Sequence, residues 1–185
     1  STSQAWIDQA NAAPLEILID HAHCERKAAG AALQLMFRYL SEPGLAEVLS
    51  PLVREEMEHF ERVLTLIKAR GRYLEPLPAP PYGACLAKSI RKEEPLRMLD
   101  SFLVAGLIEA RSHERMEILA NQSVDLEFRG LYRDLLKSEA RHSCIYWRLA
   151  DERFAREAID LRLRQLSAIE GDILCKLHPE PRMHS

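Results

Sequence analysis

The stretch KSEARHS, residues 137–143, decides how this chain folds. It places Glu139 and His142 three positions apart in a segment of helical periodicity, with Leu135 and Tyr146 on or near the same face. A carboxylate and an imidazole are costly to bury among apolar side chains unless something compensates them. The pair therefore predicts a partner elsewhere in the chain.

A second pair with the same spacing occurs in REEMEHF, residues 54–60, where Glu56 and His59 lie on another apolar stripe. A glutamate precedes each pair on the apolar side of the preceding helix. Glu25 lies 31 residues before Glu56, and Glu109 lies 30 residues before Glu139. The two hairpins thus look like two copies of one unit, a glutamate followed by a Glu-x-x-His pair.

This spacing has a physical reason. Positions i and i+3 share one face of a helix, so that both side chains of a pair can converge on one metal ion. Four carboxylates and two imidazoles that point inward are the ligands of di-iron or di-manganese sites in ferritin-like bundles. Such oxygen-rich ligands suit iron or manganese, and two divalent cations balance four carboxylates. The six predicted ligands are Glu25, Glu56, His59, Glu109, Glu139 and His142.

A single Glu-x-x-His pair is weak evidence, because on a charged helix it is usually a solvated pair. Two copies on apolar stripes, each with a matched glutamate, favour the metal. His21 and His113 each lie four residues from a predicted ligand glutamate, so either could hydrogen-bond to a ligand at the edge of the site. Satisfied or partly exposed histidines are the commoner outcome. The remaining histidines are predicted at the surface: His23, His178 and His184.

Helix start and stop signals divide the chain into a hairpin, a long crossover, a second hairpin and an appended helix. The Pro-rich stretch 73–84 is predicted to be non-helical, and the crossover of roughly 24 residues can span a bundle. This predicts an all-α, ferritin-like four-helix bundle with a long crossover between its helices 2 and 3 and an appended C-terminal helix, with residues 1–185 as a single domain. The predicted helices run from Pro14 to about Tyr39, Leu45 to Ala69, Pro95 to about Asn121, Leu126 to Leu149 and 152–177, after a short helix near 3–11.

The composition agrees with a helical protein, since aromatic residues make up only 6% of the chain and no alternating strand pattern occurs. The net charge of −3 argues against a general polyanion binder but allows a local basic patch. The four cysteines have no CxxC spacing, which argues against a zinc knuckle and favours reduced thiols. With no signal-peptide pattern and no long apolar run, we expect a cytoplasmic protein without a membrane partner.

Five segments together resemble the MiaE family of bacterial tRNA hydroxylases. The metal ligands alone are shared by ferritins, rubrerythrins and many oxygenases, whereas the surrounding residues, especially EARS and SEARH, are specific. The similarity runs across nearly the whole chain. The segments are DHAHCERKAAGAA (20–32), REEMEHFERVL (54–64), RGRYL (70–74), IEARSHER (108–115) and KSEARHS (137–143).

The resemblance implies an O2-dependent monooxygenase that hydroxylates the isopentenyl group of 2-methylthio-N6-isopentenyladenosine in tRNA. It also implies that the six predicted ligands hold two iron ions and that an external electron donor supplies two electrons. The sequence has no Rossmann glycine pattern and no cysteine-rich cluster. We therefore expect a separate reductase or electron-transfer protein as a partner, besides tRNA.

Basic residues near the crossover are candidates for contacts with tRNA phosphates. A solvated face of a loop would give the same pattern. The candidates are Arg70, Arg72, Lys88, Arg91 and Lys92.

The main alternative function is a ferritin-like iron-oxidising or iron-storage protein, which uses the same ligands without chemistry on a substrate C–H bond. A rubrerythrin-type peroxidase is disfavoured by the missing CxxC motifs. A non-catalytic helical module would have to explain six inward polar residues without a metal.

Overall fold

Seven α-helices and no strand make up residues 1–184, the part of the chain that the computed structural model describes. Ser185, the last residue of the predicted domain, lies outside the described residues. None of the helices within 1–184 is both long and apolar enough to cross a membrane. The helices are α1 (Gln4–Ala12), α2 (Pro14–Arg38), α3 (Leu45–Ala69), α4 (Pro81–Lys88), α5 (Leu96–Gln122), α6 (Leu126–Asp151) and α7 (Arg156–Leu174).

The four long helices form two hairpins, α2 with α3 and α5 with α6, and the crossover that joins them contains α4. This confirms the predicted all-α bundle with its long crossover and appended helix, α7. Helix boundaries follow local signals. Pro14 occupies the first turn of α2. Gly44 and Gly71, with φ of 73° and 71°, supply the left-handed turns before and after α3.

A polar layer divides the core of the bundle into two apolar clusters. On α3, Leu52 belongs to one cluster and Val63 to the other. On α6, Tyr146 and Leu135 are divided in the same way. The Glu-x-x-His pairs of both helices lie between these apolar residues, so the packing that stabilises the bundle also holds the pairs in place.

The crossover differs from its prediction, because residues 81–84 of the Pro-rich stretch are helical and begin α4. The prolines precede this helix rather than interrupt it, and Pro81 lies at its first position, where a missing N–H costs nothing. Cys85, which directly follows the Pro-rich stretch, also lies in α4. Tyr82 and Leu86 are buried and fasten α4 to the bundle.

His184 was predicted at the surface. That prediction is wrong, because residues 182–184, after α7, fold back and are buried. The indole Nε1 of Trp6 donates to the carbonyl oxygen of Arg182 at 2.9 Å, and the amide of Met183 donates to Asp20 at 2.7 Å. We call residues 182–184 the tail strap.

His23 was also predicted at the surface and is buried instead. Its Nε2 lies 2.7 Å from the carbonyl oxygen of Glu75, in the crossover. The crossover thus covers a face of α2 that local sequence could not show to be covered. His178 is half-buried.

Gly106 lets α5 and α6 approach closely. A Cβ atom at this position would lie 2.7 Å from two ring atoms of Trp147, and an indole ring cannot bend away. We expect Gly106→Ala to lower the free energy of unfolding by about 1–3 kcal/mol through overpacking. Urea unfolding of the metal-free protein measures this change.

Gly130→Ala on α6 is the matched control, because its Cβ would meet nothing within 4 Å. Alanine is the better helix former there, so the free energy of unfolding should stay unchanged or rise by up to about 1 kcal/mol. Equal effects of the two substitutions would contradict the role of Gly106 in helix packing.

Candidate metal centre

The four long helices bring the six predicted ligands into the polar layer, where all of them are buried. Helices α2 and α5 each contribute one glutamate, Glu25 and Glu109. Helices α3 and α6 each contribute a Glu-x-x-His pair. Because i and i+3 lie on one face, each pair points into the same space between the helices.

His59 and His142 lie side by side, with ring centroids 5.5 Å apart. His59 Nδ1 is 2.7 Å from Glu139 and 3.5 Å from Glu25. His142 Nδ1 is 2.9 Å from Glu56 and 3.3 Å from Glu139. Glu139 therefore lies between the two imidazoles, and its carboxylate touches both halves of the site.

One potential ligand atom from each of four side chains lies within 4.8 Å of the others: Glu56, His59, Glu139 and His142. The buried atoms Glu56 Oε1, Glu139 Oε1 and both histidine Nδ1 atoms contact one another at 2.7–3.3 Å, and no other residue in the range 1–184 hydrogen-bonds to them. Burying charged groups with so few partners is costly. A cation would satisfy all four at once, and their oxygen and nitrogen chemistry fits iron or manganese.

The outer nitrogens of the two histidines fix which nitrogen faces the site. The hydroxyl of Ser138 donates to the carbonyl of Leu135 at 2.9 Å, so it accepts from His59 Nε2, 2.7 Å away. His142 Nε2 lies 3.0 Å from the carboxylate of Glu55. Both rings thus have a proton on Nε2, and Nδ1 is the nitrogen that faces the centre and can bind a metal ion.

His21 lies beside the predicted ligands. The sequence allowed this position, as a hydrogen-bond partner of a ligand, for both His21 and His113. The Nε2 atom of His21 contacts the carboxylate of Glu25, and its ring stacks on Tyr132 at 5.4 Å. This arrangement orients Glu25 toward the centre. His113, the other candidate, is half-buried and is not among the residues that line the adjoining cavity.

The acidic side chains do not share the site on equal terms. Burial and the nearby carboxylates raise the pKa of Glu56 above its ordinary value and that of Glu109 to about 8. For Glu139, burial acts in the same direction, but hydrogen bonds with His142 and His59 prevail and lower the pKa. Burial lowers the pKa of His59 and His142, but contacts with the carboxylates prevail and raise both, that of His59 to about 9. The metal-free site therefore holds protons on its imidazoles and on Glu56 and Glu109, and a cation that binds there takes the place of protons.

A cavity of about 330 Å³ reaches the centre between α2, α4 and α5. At its inner end lie the carboxylates of Glu25, Glu56, Glu109 and Glu139. Its walls are largely small and apolar, with Ala28, Ala31, Ala105, Ile108 and Met116 among them. Volumes of about 300–1,000 Å³ are typical of sites that enclose a small organic group.

A more open cleft of about 630 Å³ adjoins the cavity, and the two share Ala31, Gly83, Ala105 and Ile108. Four cations line this cleft: Arg38, Arg91, Lys92 and Arg97. We call it the cationic cleft. From Met116 to Arg97, cavity and cleft follow α5 for about 28 Å at the helical rise. A surface cleft lined with positive charge therefore adjoins the cavity that reaches the buried centre.

Three of these cations are available to a ligand. Arg38, Lys92 and Arg97 form no ion pair with any residue in the range 1–184. Arg91 differs, because its guanidinium binds the buried carboxylate of Asp100 at 2.6 Å.

The five cations predicted from the sequence as tRNA contacts do not form one cluster. Arg91 and Lys92 line the cationic cleft, and Lys88 is exposed at the end of α4. Arg70 pairs with Asp125 and Glu127.

Arg72 lies 3.8 Å from Glu16, near the start of α2, whereas the cleft lies near its end. Glu16 and Arg38 are about 33 Å apart along that helix. Arg70 and Arg72 therefore lie away from the cationic cleft, because the crossover runs the length of the bundle and separates its own ends.

Arg38 and Arg97 line the cleft but were not among the predicted cations. Both lie inside or at the start of predicted helices rather than in the crossover. One signal was available: Arg38 lies seven residues after Ala31, on the face of α2 that lines the cavity. Arg97 reaches the same cleft because α2 and α5 both line it.

Comparison with known proteins adds three results. The model of the MiaE family, described as tRNA-(ms2io6A)-hydroxylase, matches residues 1–185. The tRNA 2-(methylsulfanyl)-N(6)-isopentenyladenosine(37) hydroxylase of Pseudomonas putida is 40% identical over 185 residues, which cover 100% of this chain and 89% of the relative. The protein of the same name from Salmonella typhimurium is 30% identical over 234 residues, which cover 100% of this chain and 86% of the relative.

A solved structure, protein 43 with aldehyde deformylating oxygenase activity from Synechococcus, is 66% identical. It superposes with a TM-score of 0.97 and covers 100% of this chain and 93% of its own. The proteins similar to this chain thus carry names for two activities, tRNA hydroxylation and aldehyde deformylating oxygenation.

Proposed function

Since this chain belongs to the MiaE family, we propose that it is an O2-dependent di-iron monooxygenase that hydroxylates the isopentenyl group of 2-methylthio-N6-isopentenyladenosine in tRNA. One observation carries the proposal beyond the family name. A buried carboxylate and imidazole cluster borders an apolar cavity, and the cationic cleft adjoins that cavity. In this proposal the cluster is the oxidising centre, the cavity takes the apolar substituent of the base, and the cationic cleft takes the nucleic-acid backbone.

In this proposal the six residues Glu25, Glu56, His59, Glu109, Glu139 and His142 hold two iron ions. Bound iron supplies the reduction of O2 that places one oxygen atom in a C–H bond and releases the other as water. Hydroxylation also consumes two electrons and two protons, so an external reductase or electron-transfer protein belongs to the proposal. The protein's own part is to orient the Nδ1 lone pairs and to keep the cavity apolar around the C–H bond.

The substrate has to bring its modified base and the flexible apolar chain into the cavity while its backbone stays outside. A modified base reaches such a pocket by leaving its stack. The unpaired cations Arg38, Lys92 and Arg97 are placed to bind phosphates in the cationic cleft. Phe37, the residue before Arg38 in α2, is 80% exposed, and an exposed aromatic ring near a cation suits stacking of an unpaired base.

A second candidate is an aldehyde deformylating oxygenase, which the 66% identity to the Synechococcus protein favours. An aliphatic aldehyde could occupy the same apolar cavity and use the same centre. It would make no use of the cationic cleft, and for this reason we place it second. An iron-storage role draws no support from the names of the relatives.

The test supplies the iron-loaded protein with a chemical reductant, 18O2 and either tRNA that carries the isopentenyl nucleoside or an aliphatic aldehyde. Mass spectrometry of the digested tRNA should show one labelled oxygen atom in the isopentenyl group. Protein without iron is the control. Conversion of the aldehyde alone would favour the second candidate. Iron oxidation without conversion of either substrate, at confirmed iron occupancy, would overturn both proposals.

A further inference from the structure

The tail strap closes one wall of the cavity with a histidine. Met183 is held by Asp20 and Arg115, while Trp6 binds the carbonyl of Arg182. These contacts place His184 against the cavity, where it is 5% exposed and belongs to the lining. A residue far in sequence from the metal ligands thus faces the same enclosed space.

The two ring nitrogens of His184 differ in their contacts. Nε2 lies 3.1 Å from the hydroxyl oxygen of Ser112 on α5. Nδ1 is buried and has no hydrogen-bond partner among residues 1–184. An unpaired buried nitrogen in a cavity wall carries a free-energy cost that a ligand atom can remove.

The wall behind His184 is rigid. Its ring stacks on Tyr82 with centroids 4.9 Å apart and planes at 11°. The hydroxyl of Tyr82 donates to Glu170 at 2.9 Å, and Arg111 holds the same carboxylate. A flat, fixed imidazole suits the recognition of another flat group.

The imidazole stays neutral in this place. Burial lowers the pKa of His184 well below its ordinary value, and the nearby guanidinium of Arg115 acts in the same direction. A neutral ring donates from one nitrogen and accepts at the other. If the Ser112 hydroxyl donates to Nε2, Nδ1 carries the hydrogen and can donate to a ligand.

We propose that His184 is a specificity-determining residue that donates a hydrogen bond from Nδ1 to a ring nitrogen of the substrate purine, next to its N6 substituent. The inference rests on the proposed function, since it assumes a modified adenine in the cavity. Ser112 lies one turn from the predicted ligand Glu109 on α5, about 4.5 Å along the axis. The purine edge held at His184 therefore leaves its N6 chain to extend toward the carboxylates.

This role separates the two candidate substrates. An aliphatic aldehyde has no ring nitrogen, so His184 contributes nothing to its orientation. For the purine, loss of the hydrogen bond weakens binding and lets the N6 chain shift. The isopentenyl group ends in two methyl groups, and a shift changes which of them meets the centre.

The test compares His184→Phe, which keeps a flat ring without the donor, with His184→Asn, whose amide nitrogen can take the place of Nδ1. We expect His184→Phe to raise the KM for the tRNA by about 5- to 10-fold and to increase the share of product hydroxylated at the other methyl group. His184→Asn should restore most of both properties. His178→Phe, a half-buried histidine before the tail strap, is the control and should change neither.

Iron content and melting temperature report whether each variant is folded. If His184→Phe fails to fold, Ser112→Ala tests the same hydrogen bond from its other end and should also raise KM. A wild-type protein that hydroxylates the tRNA, alongside variants with unchanged KM and unchanged product ratio, would overturn the role of His184 alone. A wild-type protein that converts only the aldehyde would overturn the proposed function, and this inference with it.

Discussion

Glu56→Gln is expected to remove iron from the candidate centre and to abolish oxygenase activity. Glu56 carries one of the unsatisfied buried oxygens of the cluster and lies 2.9 Å from His142 Nδ1. An amide of the same shape is a poor ligand for iron. We expect iron affinity to fall by more than the ~10- to 100-fold that follows loss of an outer hydrogen-bond partner of a ligand. Iron content after desalting and product formation measure the effect.

The same substitution should act in the opposite direction on the metal-free protein. Glu56 is buried with Glu25, Glu109 and Glu139, whose charges repel its own. Burial and these charges raise the pKa of Glu56 and favour its neutral form, so an amide of the same shape should leave the free energy of unfolding unchanged or raise it by on the order of 1 kcal/mol. Added Fe(II) should then stabilise the wild type and not the variant, as thermal unfolding with and without metal will show.

Glu58→Gln is the matched control, because Glu58 lies two positions away on the same helix and is exposed. It should leave iron content, activity and melting temperature unchanged. Full iron occupancy in Glu56→Gln would contradict the predicted ligand set. Equal loss of stability in the metal-free and iron-loaded forms would show a packing role for Glu56 instead.

The convergence of the six predicted ligands could be predicted from sequence because the pattern lies within single helices and hairpins. A Glu-x-x-His pair needs only one helix to align its side chains, and the second copy removes the ambiguity of the first. Glu25 and Glu109 follow from the matched distances within each hairpin. The same local signals, proline at the start and glycine at the end, gave helix boundaries close to those observed.

Features that depend on contacts between distant segments could not be predicted in this way. Arg97 reaches the cationic cleft only because α5 lies beside α2, and Arg72 misses it because the crossover is long. His184 lies in a segment without periodicity, so nothing local distinguishes a buried strap from a solvated tail. Ser138, which sets the proton position on His59, is one residue before a predicted ligand but faces a partner on another helix.

Reversing two charges of the cationic cleft, in Lys92→Glu/Arg97→Glu, is expected to weaken tRNA binding on the order of 100-fold, roughly tenfold for each charge. Neither side chain forms an ion pair in the range 1–184, so their replacement breaks no structural bridge. The slope of log affinity against log salt should become shallower by about 1.4–1.8 for two lost phosphate contacts. Filter binding at several salt concentrations measures both quantities.

The matched control changes the net charge by the same amount at the opposite end of the bundle. Lys68→Glu/Arg72→Glu alters the exposed Lys68 and the half-buried Arg72 near the end of α3, and Arg72 is one of the tRNA contacts predicted from the sequence. Its effect on tRNA binding should be small. Turnover of an aldehyde or a free nucleoside should be unchanged in both variants, because the cavity and the centre are untouched. Equal loss of tRNA binding in the two double variants would mean that net charge, and not the cleft, attracts the tRNA.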